Sequence, residues 1–436
     1  MLPKRKTLKV TPGDDLLRIL ASAGININPY CGGRGACGKC KVRLSKKVPT
    51  PTELDLANLS DQEINEGIRL ACGFYPKGDE VVEILTSALA SPYKLEMEDL
   101  TFPIDPWQIQ PSEGFVMAVD VGTTNIVGHL VDPMRGRVIA SAAIANGQAS
   151  FGADAMTRLA YCSRNGAKAR RALMELTLSG IENLAESLVG RDGKLFHVVA
   201  VMNTAMEVFL LGLNPNKLGR HPYESCIQGP VRISPFKAGP LAGTMIHIPP
   251  VIGGFVGSDA VSALLTVLEL GQEPPYLLID IGTNAEVVLV MKDAMFACST
   301  AAGPAFEGAG ISHGMLGVKG AIESVSFKNG TFKISVLGNG TARGITGSGL
   351  FSLIGELLRA GALDWFGVMV SEMLGPGSVR YGKLGHEVIL APSVSVSEGD
   401  VQQFILAKAA TRAGVDTLLT SVNIRPEELT SIFFSG

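Results

Sequence analysis

The feature that most restricts this chain is a short pattern that occurs twice. Ala118-Val-Asp120-Val-Gly122-Thr123-Thr124-Asn125 follows an apolar approach that starts at Phe115, and alternating residues continue to Val131. That alternation predicts a strand, a Gly-bearing turn and a return strand. Gly122 has no Cβ, so backbone N–H groups of the turn can come close to a phosphate. Asp120 would lie beside that phosphate, where a magnesium ion or an attacking water needs an oxygen ligand. The pattern returns 160 residues later as Asp280-Ile-Gly282-Thr283-Asn284, with the same apolar approach (Tyr276 onward) and the same strand exit. Two copies in matching contexts predict two like α/β halves facing across a cleft.

The pair resembles the two phosphate motifs of the actin-like (ASKHA) ATPases, a superfamily with a ribonuclease H-like fold in each half. The resemblance implies ATP and Mg2+ as ligands. It makes Asp120 and Asp280 the catalytic carboxylates that organise magnesium and water. Gly122, Thr123 and Thr124, with Gly282, Thr283 and Asn284, would hold the β- and γ-phosphates.

Charge is nearly balanced, with 38 basic and 41 acidic residues and no basic run, so nothing marks a nucleic-acid face. No uninterrupted apolar stretch reaches the length of a membrane span, and residues 7–18 supply no apolar core for a signal peptide. These readings favour a soluble, cytoplasmic protein without membrane or nucleic-acid partners.

Four of the seven cysteines stand in one pattern. Residues 14–24 predict a short helix with Leu16, Leu17, Leu20 and Ala21 on one face. The loop Tyr30-Cys31-Gly-Gly-Arg34-Gly-Ala-Cys37-Gly-Lys-Cys40 follows, then a strand over 41–44. Ser60 and Glu63 form a capping box opening a helix that leads to Leu70-Ala-Cys72, and 81–85 predicts a closing strand. Three close thiolates in a Gly-rich loop and a distant fourth suit a [2Fe–2S] cluster, which needs four thiolates and N–H donors to its sulfurs. A structural zinc site also takes four cysteines, but usually from two short-spaced pairs. The segment resembles ferredoxins of the β-grasp fold, with Cys31, Cys37, Cys40 and Cys72 at the ligand positions. The x5 spacing between the first two is similar to the adrenodoxin-like branch. Only residues 7–10 precede the first turn, so the usual first strand is expected to be short or missing.

Prolines at 92, 103, 106 and 111 interrupt the pattern and predict a semi-rigid linker, with Trp107 packing it onto a neighbour. The expected organisation is a ferredoxin-like domain over 1–90, a linker over 91–114, and ATPase halves over 115–260 and 261–436. In the second half, Gly344-Ile-Thr-Gly347-Ser348-Gly349 opens a helix. It reads either as an anion site or as a tight turn and cap. Glu307 fits a capping or surface role better than a ligand role. Lys408 and Arg412 share one face of a helix over 401–418, which resembles the superfamily helix beside adenosine and equally fits a solvated face. Cys162, Cys226 and Cys298 read as buried thiols, His129 and His197 as satisfied core residues, and His221 and His313 as loop residues. The ending Ser431-Ile-Phe-Phe-Ser-Gly436 resembles the opening of the superfamily's adenosine motif, so the chain is expected to be truncated there.

A ferredoxin unit ahead of this ATPase resembles the reductive activators of corrinoid proteins in anaerobes. The resemblance implies an ATP-hydrolysing iron–sulfur oxidoreductase that passes one electron from the cluster to Co(II), giving Co(I). Its partners would be a corrinoid protein and an external electron donor, with room for a homodimer. The loop over 32–39, including Arg34, would be the electron's exit face. Two alternatives stand beside it: an ATP-driven donor to another low-potential acceptor, of the kind that activates acyl-CoA dehydratases, and a redox-sensing ATP-binding module without turnover.

Overall fold

The computed structural model describes residues 7–10, 13–27, 33, 35, 38–78, 80–85, 93–94 and 114–436 apart from 309, 316, 318 and 329. The expected linker, Trp107 and Arg34 lie outside the described residues. By its contacts the chain divides into two compact units, 1–93 with 101–258, and 94–100 with 259–436.

The first unit begins with a small sheet and its helices. Helix α1 (Leu16–Ser22) starts where the Asp15 carboxylate accepts the Arg18 N–H at 2.9 Å. Strand β1 (Lys41–Lys46) is central, with β2 (Ile68–Leu70) and β3 (Val81–Ile84) antiparallel on either side. Between β1 and β2 run α2 (Glu53–Asn58) and α3 (Asp61–Asn65), each opened by a capping box, Thr52/Asp55 and Ser60/Glu63. Val42 and Leu44 alternate inward to meet Leu16, Leu17, Leu20 and Leu70, so the sheet closes over α1 as in the β-grasp fold. Residues 7–10 form no strand.

The rest of this unit carries the first of the twin motifs. A two-residue strand, β4 (Tyr93–Lys94), stands at the edge of a seven-stranded sheet. Strands β5 (Phe115–Val121), β6 (Asn125–Asp132) and β7 (Arg137–Ala145) form an antiparallel meander. Helix α4 (Ala155–Val189), broken at Gly166, crosses back to β8 (Leu195–Val201), which lies parallel to β5. After α5 (Thr204–Leu210), β9 (Val231–Ile233) and β10 (Met245–Ile248) complete the order β4-β7-β6-β5-β8-β10-β9. The small sheet is not isolated from this half: Ala21 of α1 is buried in the same core as Met117, Ile144 and Leu159.

Helix α6 (Ser258–Glu269) leads into the second unit. There β11 (Tyr276–Ile281), β12 (Ala285–Val290) and β13 (Met295–Thr300) repeat the meander. An inserted sheet follows, of β14 (Ala321–Lys328), β15 (Thr331–Val336) and β16 (Gly344–Ile345). Then come α7 (Gly347–Arg359), the hairpin strands β17 (Val379–Gly382) and β18 (Gly385–Ala391), and β19 (Val394–Ser397). Helix α8 (Glu398–Ser421) precedes β20 (Ser431–Ser435), which pairs parallel to β11. The core order β13-β12-β11-β20 matches β7-β6-β5-β8 of the first half, strand for strand. Each half is therefore one α/β repeat, as the twin motifs predict. Among the described residues, no helix is long and apolar enough to cross a membrane.

Candidate functional site

Two of the four cysteines lie within the described residues, and the fold brings them together. Cys40 ends the loop as β1 begins, and Cys72 sits in the 3-10 turn Ala71–Gly73 that follows β2. The Ala71 N–H donates to the Cys40 carbonyl at 2.8 Å, and the two buried sulfurs stand 3.4 Å apart. Asp55 holds this arrangement from behind: its carboxylate takes the Leu70 N–H at 2.8 Å while also closing the capping box of α2. Gly35 has φ +76°, and a Cβ there would stand 2.6 Å from the Leu54 side chain, so the loop is closely seated on α2. Asn58 adds its side-chain amide to the Gly35 carbonyl at 2.8 Å. A pair of buried thiols against a tightly seated glycine loop suits a four-thiolate cluster. Cys31 and Cys37 lie outside the described residues.

The first phosphate turn, 122–124, is held from three sides. Asn146 donates its side-chain amide to the Gly122 carbonyl and its backbone N–H to the Thr124 carbonyl, both at 2.8 Å. Asn203, the N-cap of α5, donates to Thr123 Oγ1 at 3.0 Å. From below, Arg158 Nη2 donates to the Thr123 carbonyl at 2.7 Å. Arg158 is wholly buried and also reaches the Gly152 carbonyl (2.9 Å) and Gln148 Oε1 (3.2 Å). A fixed positive charge therefore lies under the turn expected to carry phosphate. Asp120, two residues before the turn, is exposed.

The second turn, 282–284, closes on itself through the Gly282 N–H and the Asn284 carbonyl at 2.9 Å. Thr283 donates its hydroxyl to Glu307 at 2.5 Å, which ties Glu307 to the motif rather than to a surface role. Asp280 accepts the Ser435 hydroxyl at 2.7 Å, and burial pushes its carboxyl above the ordinary range. Opposite it on β12 stands Glu286, 4% exposed, whose carboxylate accepts from Ser299 at 2.9 Å. Burial first, then the charges of Asp259 and Asp280, push Glu286 well above the usual carboxylate range.

The remaining expectations resolve individually. At the start of α7 the Gly349 N–H is taken by Thr346 Oγ1 at 3.0 Å, and Ser348 shares a hydrogen bond with the same hydroxyl at 2.8 Å. Gly347 leaves no room for a side chain against the Phe306 carbonyl. Lys408 is exposed on α8, while Arg412 pairs with Asp416 at 2.7 Å. His129 contacts Ser141 at 2.6 Å, and His313 contacts the Ser395 carbonyl at 2.9 Å. Cys162 is buried and Cys298 half-buried, but Cys226 is exposed, contrary to expectation, because it lies in the irregular segment before β9 rather than in an element. Sequence reasoning missed Arg158, Asn146, Asn203 and Glu286. Arg158 had a signal: with Ala155, Leu159 and Cys162 it completes a buried helical stripe on α4.

Three family models match in succession: a 2Fe-2S iron-sulfur cluster binding domain over 1–77, the RACo middle region over 115–271, and the C-terminal ASKHA domain of RACo over 275–436. The corrinoid activation enzyme RamQ of Eubacterium limosum is 25% identical over 496 aligned positions, covering 96% of this chain and 82% of the relative. A Co(II) methylated amine-specific corrinoid protein reductase of Methanosarcina barkeri is 33% identical over 45% of this chain and 38% of its own length. A solved reductive activator for corrinoid, iron-sulfur protein superposes with a TM-score of 0.68 at 27% identity, covering 99% of this chain and 85% of that one. With an iron–sulfur domain, a RACo middle region and an ASKHA domain in this order, the chain belongs to the family of ATP-dependent reductive activators of corrinoid proteins.

Proposed function

We propose that this chain returns a corrinoid protein from Co(II) to Co(I), one electron at a time, and that ATP hydrolysis drives the step. The observation that carries the reading is the joining, on one chain, of a buried thiol pair 3.4 Å apart and two D-x-G-T turns on matching strand orders. Cys31, Cys37, Cys40 and Cys72 would hold the [2Fe–2S] cluster, which when bound supplies a single electron at about −400 mV. An acceptor about 60 mV lower makes that transfer unfavourable by about 1.4 kcal/mol, so equilibrium reduction is poor without a second driving force. An external reductant restores the electron after each event.

The chain's own residues organise the hydrolysis. The turn N–H groups at 122–124 and 282–284 receive phosphate oxygens, with the Arg158 guanidinium beneath the first turn. Asp120 and Asp280 are the carboxylates that would serve Mg2+ and the attacking water, and Mg2+ when bound would polarise the phosphate. Water oxygen bonds to the γ-phosphorus, the bond to the ADP oxygen breaks, and the water proton leaves to a carboxylate. The products are ADP, phosphate and one proton. The functional segments are taken as 1–90, 115–260 and 261–436, joined by 91–114.

The test follows cobalt absorbance anaerobically with a Co(II) corrinoid protein, a reductant, and ATP present or absent. Co(I) should accumulate only with reductant and ATP together. Equal rate and extent without nucleotide would overturn the proposal.

A further inference from the structure

The compact unit that holds the first phosphate turn also holds the β-grasp domain, and their seam has an unusual composition. On one side stand Arg18, Ala21 and Asn26, from α1 and the segment that follows it. On the other stand Gly147, Phe151 and Tyr161. Ala21 is buried in the ATPase core rather than in the β-grasp core. The Arg18 guanidinium lies 5.9 Å over the Tyr161 ring, which in turn packs on Phe151 at 4.9 Å. Gly147 approaches so closely that a Cβ would stand 2.8 Å from Asn26 Oδ1, and that oxygen is buried with no hydrogen-bond partner among the described residues. A small seam with a buried, unanswered acceptor resembles a transient interface more than a permanent core.

The ATPase side of this seam is joined to the phosphate turn at two points. Gly147 directly follows Asn146, whose amide and N–H hold the Gly122 and Thr124 carbonyls. Tyr161 lies one turn along α4 from Arg158, whose guanidinium holds the Thr123 carbonyl. One turn before Ala21 on α1, Leu17 is the nearest neighbour of Gly33 in the cysteine loop, at 3.6 Å from where its Cβ would be. Each route from phosphate turn to cysteine loop therefore crosses only a few contacts.

We infer that α1 and Asn26 form a docking surface by which the iron–sulfur domain senses nucleotide at the 122–124 turn. Phosphate binding moves the turn peptides, and Asn146 and Arg158 carry that movement to Gly147 and Tyr161. The fit of α1 on the ATPase half then changes. The inference rests on the proposed nucleotide site. It adds a route by which ATP sets the position of the cluster domain.

The experiment is amide hydrogen exchange on the anaerobically purified, cluster-loaded full chain, with and without magnesium and a non-hydrolysable ATP analogue. Three proteins are compared: wild type, Gly147→Ala and Ala21→Arg. Gly147→Ala places a Cβ against the Asn26 amide, and Ala21→Arg forces a charged chain into the seam. The visible cluster spectrum reports that the domain remains folded. In wild type the analogue should slow exchange at 122–125 and change exchange in 16–26 by about fivefold or more. Both variants should keep the response at 122–125 and lose it in 16–26. A wild-type response confined to 122–125 overturns the inference and leaves the nucleotide site standing. A full 16–26 response in both variants overturns it equally. No response at 122–125 overturns the nucleotide site and this inference together.

Discussion

Arg158→Met is the substitution whose cost can be worked furthest from the structure. The side chain is wholly buried and donates to three oxygens, the Thr123 carbonyl at 2.7 Å, the Gly152 carbonyl at 2.9 Å and Gln148 Oε1 at 3.2 Å, and more weakly to Met206 Sδ at 3.5 Å. Methionine fills much of the volume but donates nothing. Each acceptor left unanswered in the interior costs about 1–3 kcal/mol. Release from burying a guanidinium returns part of that, so the lower ends are the better guide. The net loss is then about 3 kcal/mol, which for a unit of this size lowers the melting temperature by about 6–12 °C. The loss should be insensitive to added salt, because the charge is buried. Arg158→Lys restores charge without the three-way reach and should fall between the two. Calorimetry with a non-hydrolysable ATP analogue should also show weaker binding, because the Thr123 peptide loses its anchor. A melting temperature for Arg158→Met within about 2 °C of wild type, with unchanged analogue affinity, would refute the reasoning.

Cys40→Ser or Cys72→Ser should abolish the iron–sulfur absorbance, with two irons and two sulfides lost per chain, while circular dichroism still reports folded ATPase halves. Colourless wild type with one zinc would refute the cluster. Asp120→Ala and Asp280→Ala should each abolish ATP hydrolysis and leave dithionite reduction of the cluster unaffected; wild-type turnover in either removes that residue from the site. Asp55→Ala should cost about 2–3 kcal/mol, because the buried Leu70 N–H and the α2 cap lose one shared acceptor, read as faster cluster loss on mild heating. Glu207 on α5 is fully buried, both its carboxylate oxygens have no hydrogen-bond partner among the described residues, and burial pushes it from 4.5 to about 7. The native state therefore holds a proton that the unfolded chain releases, and stability should fall by about 3 kcal/mol as pH rises from about 4.5 to about 7; Glu207→Gln should flatten that slope in denaturant titrations.

Legibility in the sequence followed the range of the physics. The twin strand–turn–strand units were readable because alternation, Gly and Asp all act within about ten residues. The Ser60 capping box and the cysteine spacing were readable for the same reason. Residues whose role depends on distant strands were not. Glu286 looks like an exposed charge in a strand, yet β12 is central and both its neighbours bury it. Glu307 looked like a surface acid until the fold placed it against Thr283, 24 residues earlier. Asn146 follows β7 with no local signal of this role, and only the meander brings it back to Gly122. Cys226 was assigned by habit of residue type, since free cysteines are usually buried, and its irregular segment exposes it instead.

The two halves repeat a strand order without repeating a field. Residues directly opposite on paired strands share a face. In the first half the row through Asp120 reads Val201, Asp120, Val127, Ala143 across β8, β5, β6 and β7. In the second half the same row reads Ser435, Asp280, Glu286, Ser299 across β20, β11, β12 and β13. Asp120 has apolar cross-strand neighbours and is exposed, so water can stabilise its charge. Asp280 faces a second carboxyl, and two like charges directly opposite are unfavourable, more so when buried. Burial first, then Asp259 at the head of α6, then Asp280 push Glu286 well above the usual carboxylate range. The serines at either end donate inward, one to each carboxyl, which fixes both side chains in the row. A buried carboxyl pair whose affinity for protons is raised differs chemically from an exposed aspartate between apolar neighbours. What separates the two motifs is residue 127 against residue 286, and both lie outside the D-x-G-T signature that makes the motifs look alike.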